Sequence, residues 1–188
     1  MLPTELQSLL DQIDACEADA EQLVADLDDE GVNWVPPQGG WSIAQCVNHL
    51  VLMNPYYLAH WPEEVRKAAQ KDLGPFRGLQ PTWWGRAFVR WMEPPARMKA
   101  KANAATVPGP RFARDTIVPA YRQSHEIFRH LVRASAAVDV NRVVSHNALA
   151  RQVRMRLSTT LLIVPAHDRR HLWQASNVKK QMPGRFAG

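Results

Sequence analysis

Lysine and arginine are absent from the first 65 residues of this 188-residue chain, which hold 12 of its 18 acids. All 23 basic residues follow, so the first third carries −12 and the rest +17 behind a net charge of +5. Such a chain either lays its acidic segment over basic ones or presents a two-sided field that draws an anionic ligand. Cysteine is nearly lacking too. Cys16 and Cys46 stand alone, which excludes a disulfide framework and fits a reducing cytoplasm. Long apolar runs are missing, the longest being residues 161–166, far short of a bilayer span. No basic stretch followed by an apolar one opens the chain, so no secretory signal is expected. Despite a pI near 9.6, there is no block of about five like charges and no nucleic-acid motif. Neither nucleic acid nor membrane is therefore an expected partner. A composition of 46% hydrophobic and 22% charged residues is that of a globular chain, read here as one domain over residues 1–188.

Helical periodicity dominates what is present. Leu6, Leu9, Leu10, Ile13, Cys16, Ala20, Leu23, Val24 and Leu27 recur at the spacing of one helix face. They predict a helix over residues 4–29, opened by a Thr4–Gln7 capping box and stopped by Gly31. Residues 31–41, with two prolines and bracketing tryptophans, predict a loop pinned to the helices by Trp34 and Trp41. Ser42 with Gln45 predicts the start of a second helix reaching His60, with Pro55 as a kink. A short helix over 62–73 and an aromatic one over 83–93, capped by Thr82, follow. A proline-rich loop fills 94–110. Asp115 or Thr116 opens a helix burying Val118, Tyr121, His125, Phe128 and Val132, with Pro119 in its first turn. Val138, Val140, Val143 and Val144 suit a short strand or an extended crossover. Ser158 caps a last helix running to about Lys180.

Three of the seven histidines make a pattern. His167 and His171 stand one helical turn apart, so both imidazoles can reach one ion. A third nitrogen must come from elsewhere, and His49, on the mostly apolar stripe of the second helix, is the best candidate. Three neutral imidazoles suit zinc or nickel first, with iron a further fit. Three protein ligands leave a position for water or substrate, as catalytic sites do. An exposed histidine pair without metal is the competing reading, and Cys46 reads as a buried structural thiol. His125 reads as a core histidine with satisfied nitrogens; His60, His130 and His146 read as surface or loop residues.

Asn33-Trp34, Pro36-Pro37 and Gly40-Trp41-Ser42-Ile43-Ala44 with His49-Leu50 resemble the first signature of the DinB/YfiT-like superfamily. His167-Asp168-Arg169-Arg170-His171-Leu172-Trp173-Gln174 resembles its second. The resemblance implies an all-α chain, a four-helix bundle connected up-down-down-up, here with extra short helices and long loops. It carries His49, His167 and His171 over as metal ligands. It implies a metal-dependent enzyme, a hydrolase or a thiol-dependent S-transferase, acting on a small molecule with a low-molecular-weight thiol as co-substrate. A homodimer is compatible with it. Asp168 and Gln174 are the candidates for orienting the ligand imidazoles. Pro165, two residues before His167, departs from the pattern and predicts a kink near the ligands. No catalytic residue is assigned; Tyr56, Tyr57 and His125 are the candidate acids or bases. The alternatives are a non-enzymatic metal or small-ligand binder, or a dimerisation scaffold with a vestigial site. Any anion-attracting surface is expected near Arg151, Arg154, Arg156, Arg169 and Arg170.

Overall fold

The computed structural model describes residues 1–96, 102–147 and 152–184. The chain is mostly helical, as expected. Its described residues form α1 (Thr4–Val24), α2 (Asp29–Asn33), α3 (Ile43–Leu58), α4 (Trp61–Gln70), α5 (Trp83–Met92), α6 (Arg114–Ser124), α7 (Glu126–Ser135) and α8 (Leu157–Lys179). One small antiparallel hairpin, β1 (Val144–His146) with β2 (Arg154–Arg156), leads into α8. The packing centres on α3 and α8, which lie against each other. α6 covers α3, while α1 and α5 cover α8. No described helix is long and apolar enough to cross a membrane.

Two apolar clusters fill the interior. One gathers Leu6, Leu9, Ile13, Leu58, Trp61, Phe128, Leu131 and Leu161. The other gathers Ala20, Val24, Ile43, Val47, Leu50, Tyr121 and Ala175. Along α8 the change of cluster falls between Val164 and Leu172, and from α6 to α7 between Tyr121 and Phe128. His125, His167, Asp168 and His171 occupy those gaps, so these polar groups sit where the apolar core is interrupted.

Local chemistry explains the element boundaries. Ser42 and Gln45 form the predicted capping box, the Ser42 Oγ accepting from Gln45 N and the Gln45 Oε1 from Ser42 N. Thr82 caps α5 through Gly85 N. Five boundaries differ from the sequence reading. The one helix expected to bury Val118 through Val132 is two, α6 and α7, parted at His125. α1 starts behind Pro3 with no side-chain cap, because the Pro3 carbonyl takes Gln7 N. It ends at Val24, not residue 29: Asp28 accepts Gly31 N at 2.7 Å and opens α2, placing Gly31 inside a helix instead of after one. The first N–H of α6 is satisfied from outside by the Asp29 carboxylate, so α6 starts at Arg114 and Pro119 falls beyond the first turn. Ser158 caps nothing. Loop carbonyls of Val143 and Val140 take Leu157 N and Ser158 N, and the Ser158 hydroxyl is buried without a partner. α3 and α8 continue through Pro55 and Pro165. Val138, Val140 and Val143 enter the core from the turn before β1 and form no strand.

Part of the acidic first segment is paired with later basic residues within the fold. Glu17 bridges Arg129, Glu21 bridges Arg122 and Asp26 bridges Lys179. Several of the arginines named above are engaged within the fold. Arg169 is held by Glu93 and Gln12, Arg156 donates to the Gln80 carbonyl, and Arg151 lies outside the described residues. α5 turns Trp83 and Trp84 outward, stacked on each other at 3.6 Å.

Candidate metal centre

The capping box fixes where α3 begins, and with it the height of His49 two turns along. α8, held at its start by the Val143 and Val140 carbonyls, sets the height of His167 and His171. The three rings converge. Their centroids lie 4.6 Å (His49–His171), 5.4 Å (His49–His167) and 4.6 Å (His167–His171) apart. One nitrogen from each falls within 4.8 Å of the others, and the two Nε2 atoms of His167 and His171 are 3.0 Å apart. Among the described residues no fourth histidine, cysteine, aspartate or glutamate joins the group.

The surroundings favour neutral rings. His49 Nδ1 meets the Thr106 carbonyl at 2.7 Å. As a donor to that oxygen it leaves Nε2 as the lone-pair nitrogen. Burial lowers the His49 pKa, partly offset by that hydrogen bond. Burial, the neighbouring imidazoles and the Arg170 charge hold His167 well below its usual value. Burial first, then His49 and Arg170, push His171 down to about 3, against a small opposing effect of Gln174. The Nδ1 of His171 is buried without a hydrogen-bond partner. Three unprotonated imidazoles facing one another, one with an orphaned nitrogen, are the donor set that a borderline divalent metal takes. The group can hold a metal ion. Trp41 lies over it, 4.9 Å from the His49 ring and 5.9 Å from His171.

The remaining candidates divide. The Gln174 side chain reaches the His171 ring and acts to raise its pKa against burial, the only one of the two candidates for orienting the rings to meet a ligand imidazole. Asp168 does not orient a ligand ring: one residue past His167 on a helix, it points about 100° away and accepts from His125 Nε2 at 2.9 Å. His125 is a satisfied core histidine, as read, fully buried between Asp168 and Glu17, whose Oε1 is 2.7 Å from Nδ1. Burial opposes its charge, but the two carboxylates outweigh burial and raise its pKa to about 9. It is not part of the histidine group. Tyr57 is buried, with its hydroxyl on Met155 and Asn147, and burial pushes its pKa up to about 12. Tyr56 is exposed. Cys46 is buried in the apolar core, its thiol pushed up to about 12, and it does not join the group. A groove of about 470 Å³ between α1 and α8, lined by Leu23, Arg169, Trp173 and Lys179, lies away from the histidines.

Two contributors were invisible in the sequence pattern. The Thr106 carbonyl comes from a short 3-10 turn, Ala104–Thr106, within the expected 94–110 loop, of which residues 97–101 lie outside the described residues; just beyond it Gln45 donates to the Gly109 carbonyl and Asn33 bonds both the N–H and the carbonyl of Phe112. Trp41, a loop anchor and part of the first signature in sequence, also stands against the His49 and His171 rings, a contact that the pattern does not show.

The family model described as the DinB superfamily matches residues 12–175. The chain belongs to the DinB superfamily. The match runs from α1 through α8 and spans all three histidines. Searches of the curated proteins and of the solved structures found no match.

Proposed function

We propose that this DinB-superfamily chain is a metal-dependent enzyme, a thiol-dependent S-transferase or hydrolase acting on a small molecule, with His49, His167 and His171 as ligands. The observation that carries the reading is the all-nitrogen group of three with no fourth described ligand, which leaves a coordination position for a reactant. A divalent ion, zinc or nickel before iron, would supply a Lewis acid there and make a thiol or water acidic near neutral pH. The chain's own residues do the rest. The Thr106 carbonyl fixes the tautomer and direction of His49. Burial keeps all three imidazoles unprotonated. The Trp41 indole covers two of the rings and keeps water from that side.

The up-down-down-up bundle implied by the resemblance belongs to this reading, as do a cytoplasmic location and a role without nucleic acid or membrane. Pairing of Arg122, Arg129 and Lys179 with Glu21, Glu17 and Asp26 of the acidic first segment supports the last point, since a nucleic-acid surface needs a continuous basic stripe. The test is a screen of zinc- and nickel-loaded protein with low-molecular-weight thiols and a panel of electrophiles. The expected result is thiol consumption that requires the metal and disappears in His167→Ala. Equal background rates for loaded, metal-free and variant protein across the panel would overturn the proposal.

A further inference from the structure

We propose that the outward face of α5 joins two copies of this chain, antiparallel about a two-fold axis at Ala87, with an arginine of each copy set against an indole of the other. The inference is independent of the metal centre. α5 has two apolar sides, and the fold uses one. Gly85, Val89 and Met92, at i, i+4 and i+7, face inward. Gly85 comes so close to α8 that a Cβ there would lie 2.7 Å from Thr159 Oγ1, and Val89 and Met92 pack against the core. The other side is left to solvent, with Trp83 60%, Trp84 68%, Phe88 37% and Trp91 39% exposed. Trp83 stacks on Trp84, and Phe88 on Trp91. Four large rings on one outer face of a helix are the mark of an interaction surface, not of scattered exposed residues. α5 contains no acid. Its Arg86 and Arg90 are exposed and enter no ion pair among the described residues.

The order of rings and charges selects a second copy as the occupant. Two rows cross at Ala87, which is itself exposed. One row is Trp83, Ala87 and Arg90; the other is Trp84, Ala87 and Trp91. Each row read backwards complements itself. An antiparallel second α5 sets Trp83 against the partner's Arg90 and Trp84 against the partner's Trp91. Both contacts then occur twice, as an isologous interface requires. The small side chain of Ala87 on the axis lets the helices approach to the ~8–10 Å of ordinary helix packing. Arginine over indole is a contact that this chain already makes, the Arg170 guanidinium carbon lying 4.9 Å from the Trp91 ring centroid, and it strengthens when water is excluded. A lipid surface or an acidic peptide would take the rings and the charges in any order; a second copy needs this one. With about 150–250 Å² for a whole aromatic side chain, the exposed ring area is roughly 400 Å² per copy. With the arginine stems, about 1,000 Å² leaves water in the pair, the low end of specific interfaces, which fits a dimer of micromolar affinity.

Sedimentation velocity of the full chain, zinc-loaded and metal-free, reads the oligomeric state over a concentration series. Wild-type protein is expected to pass from monomer to dimer with a Kd on the order of 10 μM, in both metal states. Ala87→Arg adds a cation on the axis, beside Arg86 and Arg90 of both copies, and is expected to weaken the dimer at least about tenfold. Trp84→Gln, also at an exposed position, is expected to weaken it similarly. Ala87→Cys should form a disulfide-linked dimer under mild oxidation, because residues on the axis face each other. Ala134→Cys, exposed on α7, should not; the native thiols of Cys16 and Cys46 are buried and do not compete. A wild-type chain that stays monomeric through the series overturns the inference without needing any variant to fold. A dimer that survives both Ala87→Arg and Trp84→Gln overturns it by placing the contact elsewhere. Monomers that instead bind phosphatidylserine vesicles, and lose that binding in Trp84→Gln, overturn it in favour of a lipid surface. None of these outcomes bears on the three-histidine reading, which metal content tests separately.

Discussion

Raising the pH from about 7 to about 8.5 should destabilise the metal-free protein through one residue, His125. Its ring is fully buried between Glu17 and Asp168, and its pKa is raised to about 9 from 6.5. A group whose folded pKa lies above its unfolded one gives stability that is complete below the unfolded value and lost as pH rises through the folded value. The full contribution is about 3 kcal/mol, and roughly 2 kcal/mol of it disappears across this window. The window largely isolates it. At pH 7 about a quarter of each unfolded site histidine is still protonated while the folded rings, whose pKa values are lowered, are not, so their contribution rises slightly with pH. Near pH 8.5 the unfolded thiols of Cys16 and Cys46, whose folded pKa values are raised, are up to about half ionised, which lowers stability slightly; each effect is below about 1 kcal/mol and the two oppose each other. Glu17, held below its usual value by His125 and Arg129 against the effect of burial, gives stability that is lost only at acid pH. Urea unfolding followed by circular dichroism, with chelator present, measures the free energy at each pH. The control is His125→Gln, which should cost about 3–5 kcal/mol by leaving two buried carboxylates without their cation and should flatten the pH dependence. A wild-type stability that is level or rising across the window, or a variant with the same slope, would refute the assignment of a charged His125.

Other expected outcomes follow from packing and capping. Leu50→Ala and Leu161→Ala, each at a fully buried position, should cost about 2–5 kcal/mol in the same assay. Gly85→Ala places a Cβ 2.7 Å from Thr159 Oγ1 and 2.9 Å from Thr159 Cγ2. It should lower stability by about 1–3 kcal/mol, and Thr159→Ala in the same chain should restore most of it. Ser42→Ala removes the cap of α3 and should cost about 0.5–2 kcal/mol, with a weaker metal affinity because the start of α3 sets the position of His49.

What could be read from the sequence was what local chemistry decides. The Ser42–Gln45 box, the Thr82 cap, the buried face from Leu6 to Val24 and the His167–His171 pair depend on residues within a turn or two of one another. His49 was reachable because a histidine on an apolar helix face needs a nitrogen partner. The Thr106 carbonyl was not reachable: it is a backbone oxygen 57 residues from His49 and leaves no mark on side-chain pattern. The direction of Asp168 follows from helix geometry, yet its partner His125 lies on another helix 43 residues away. A clue to that network did exist. Glu17 falls among Ile13, Cys16, Ala20 and Val24 on the buried side of α1, and a carboxylate there requires a cation from elsewhere in the fold. At residues 24–31 the competing signals were Asp28, a helix starter, and Gly31, a helix stopper. Asp28 prevails because its carboxylate has the Gly31 N–H within reach.

The central claim is that His49, His167 and His171 together hold one metal ion, and metal stoichiometry tests it most directly. The chain, stripped with chelator and reconstituted separately with zinc, nickel and iron(II), is desalted and its bound metal counted per chain. The account predicts about one equivalent for wild-type protein and loss of binding in each of His49→Ala, His167→Ala and His171→Ala, with His125→Gln retaining the ion. Wild-type protein that takes up none of the three metals, or single alanine variants that bind as tightly as wild type, would contradict it.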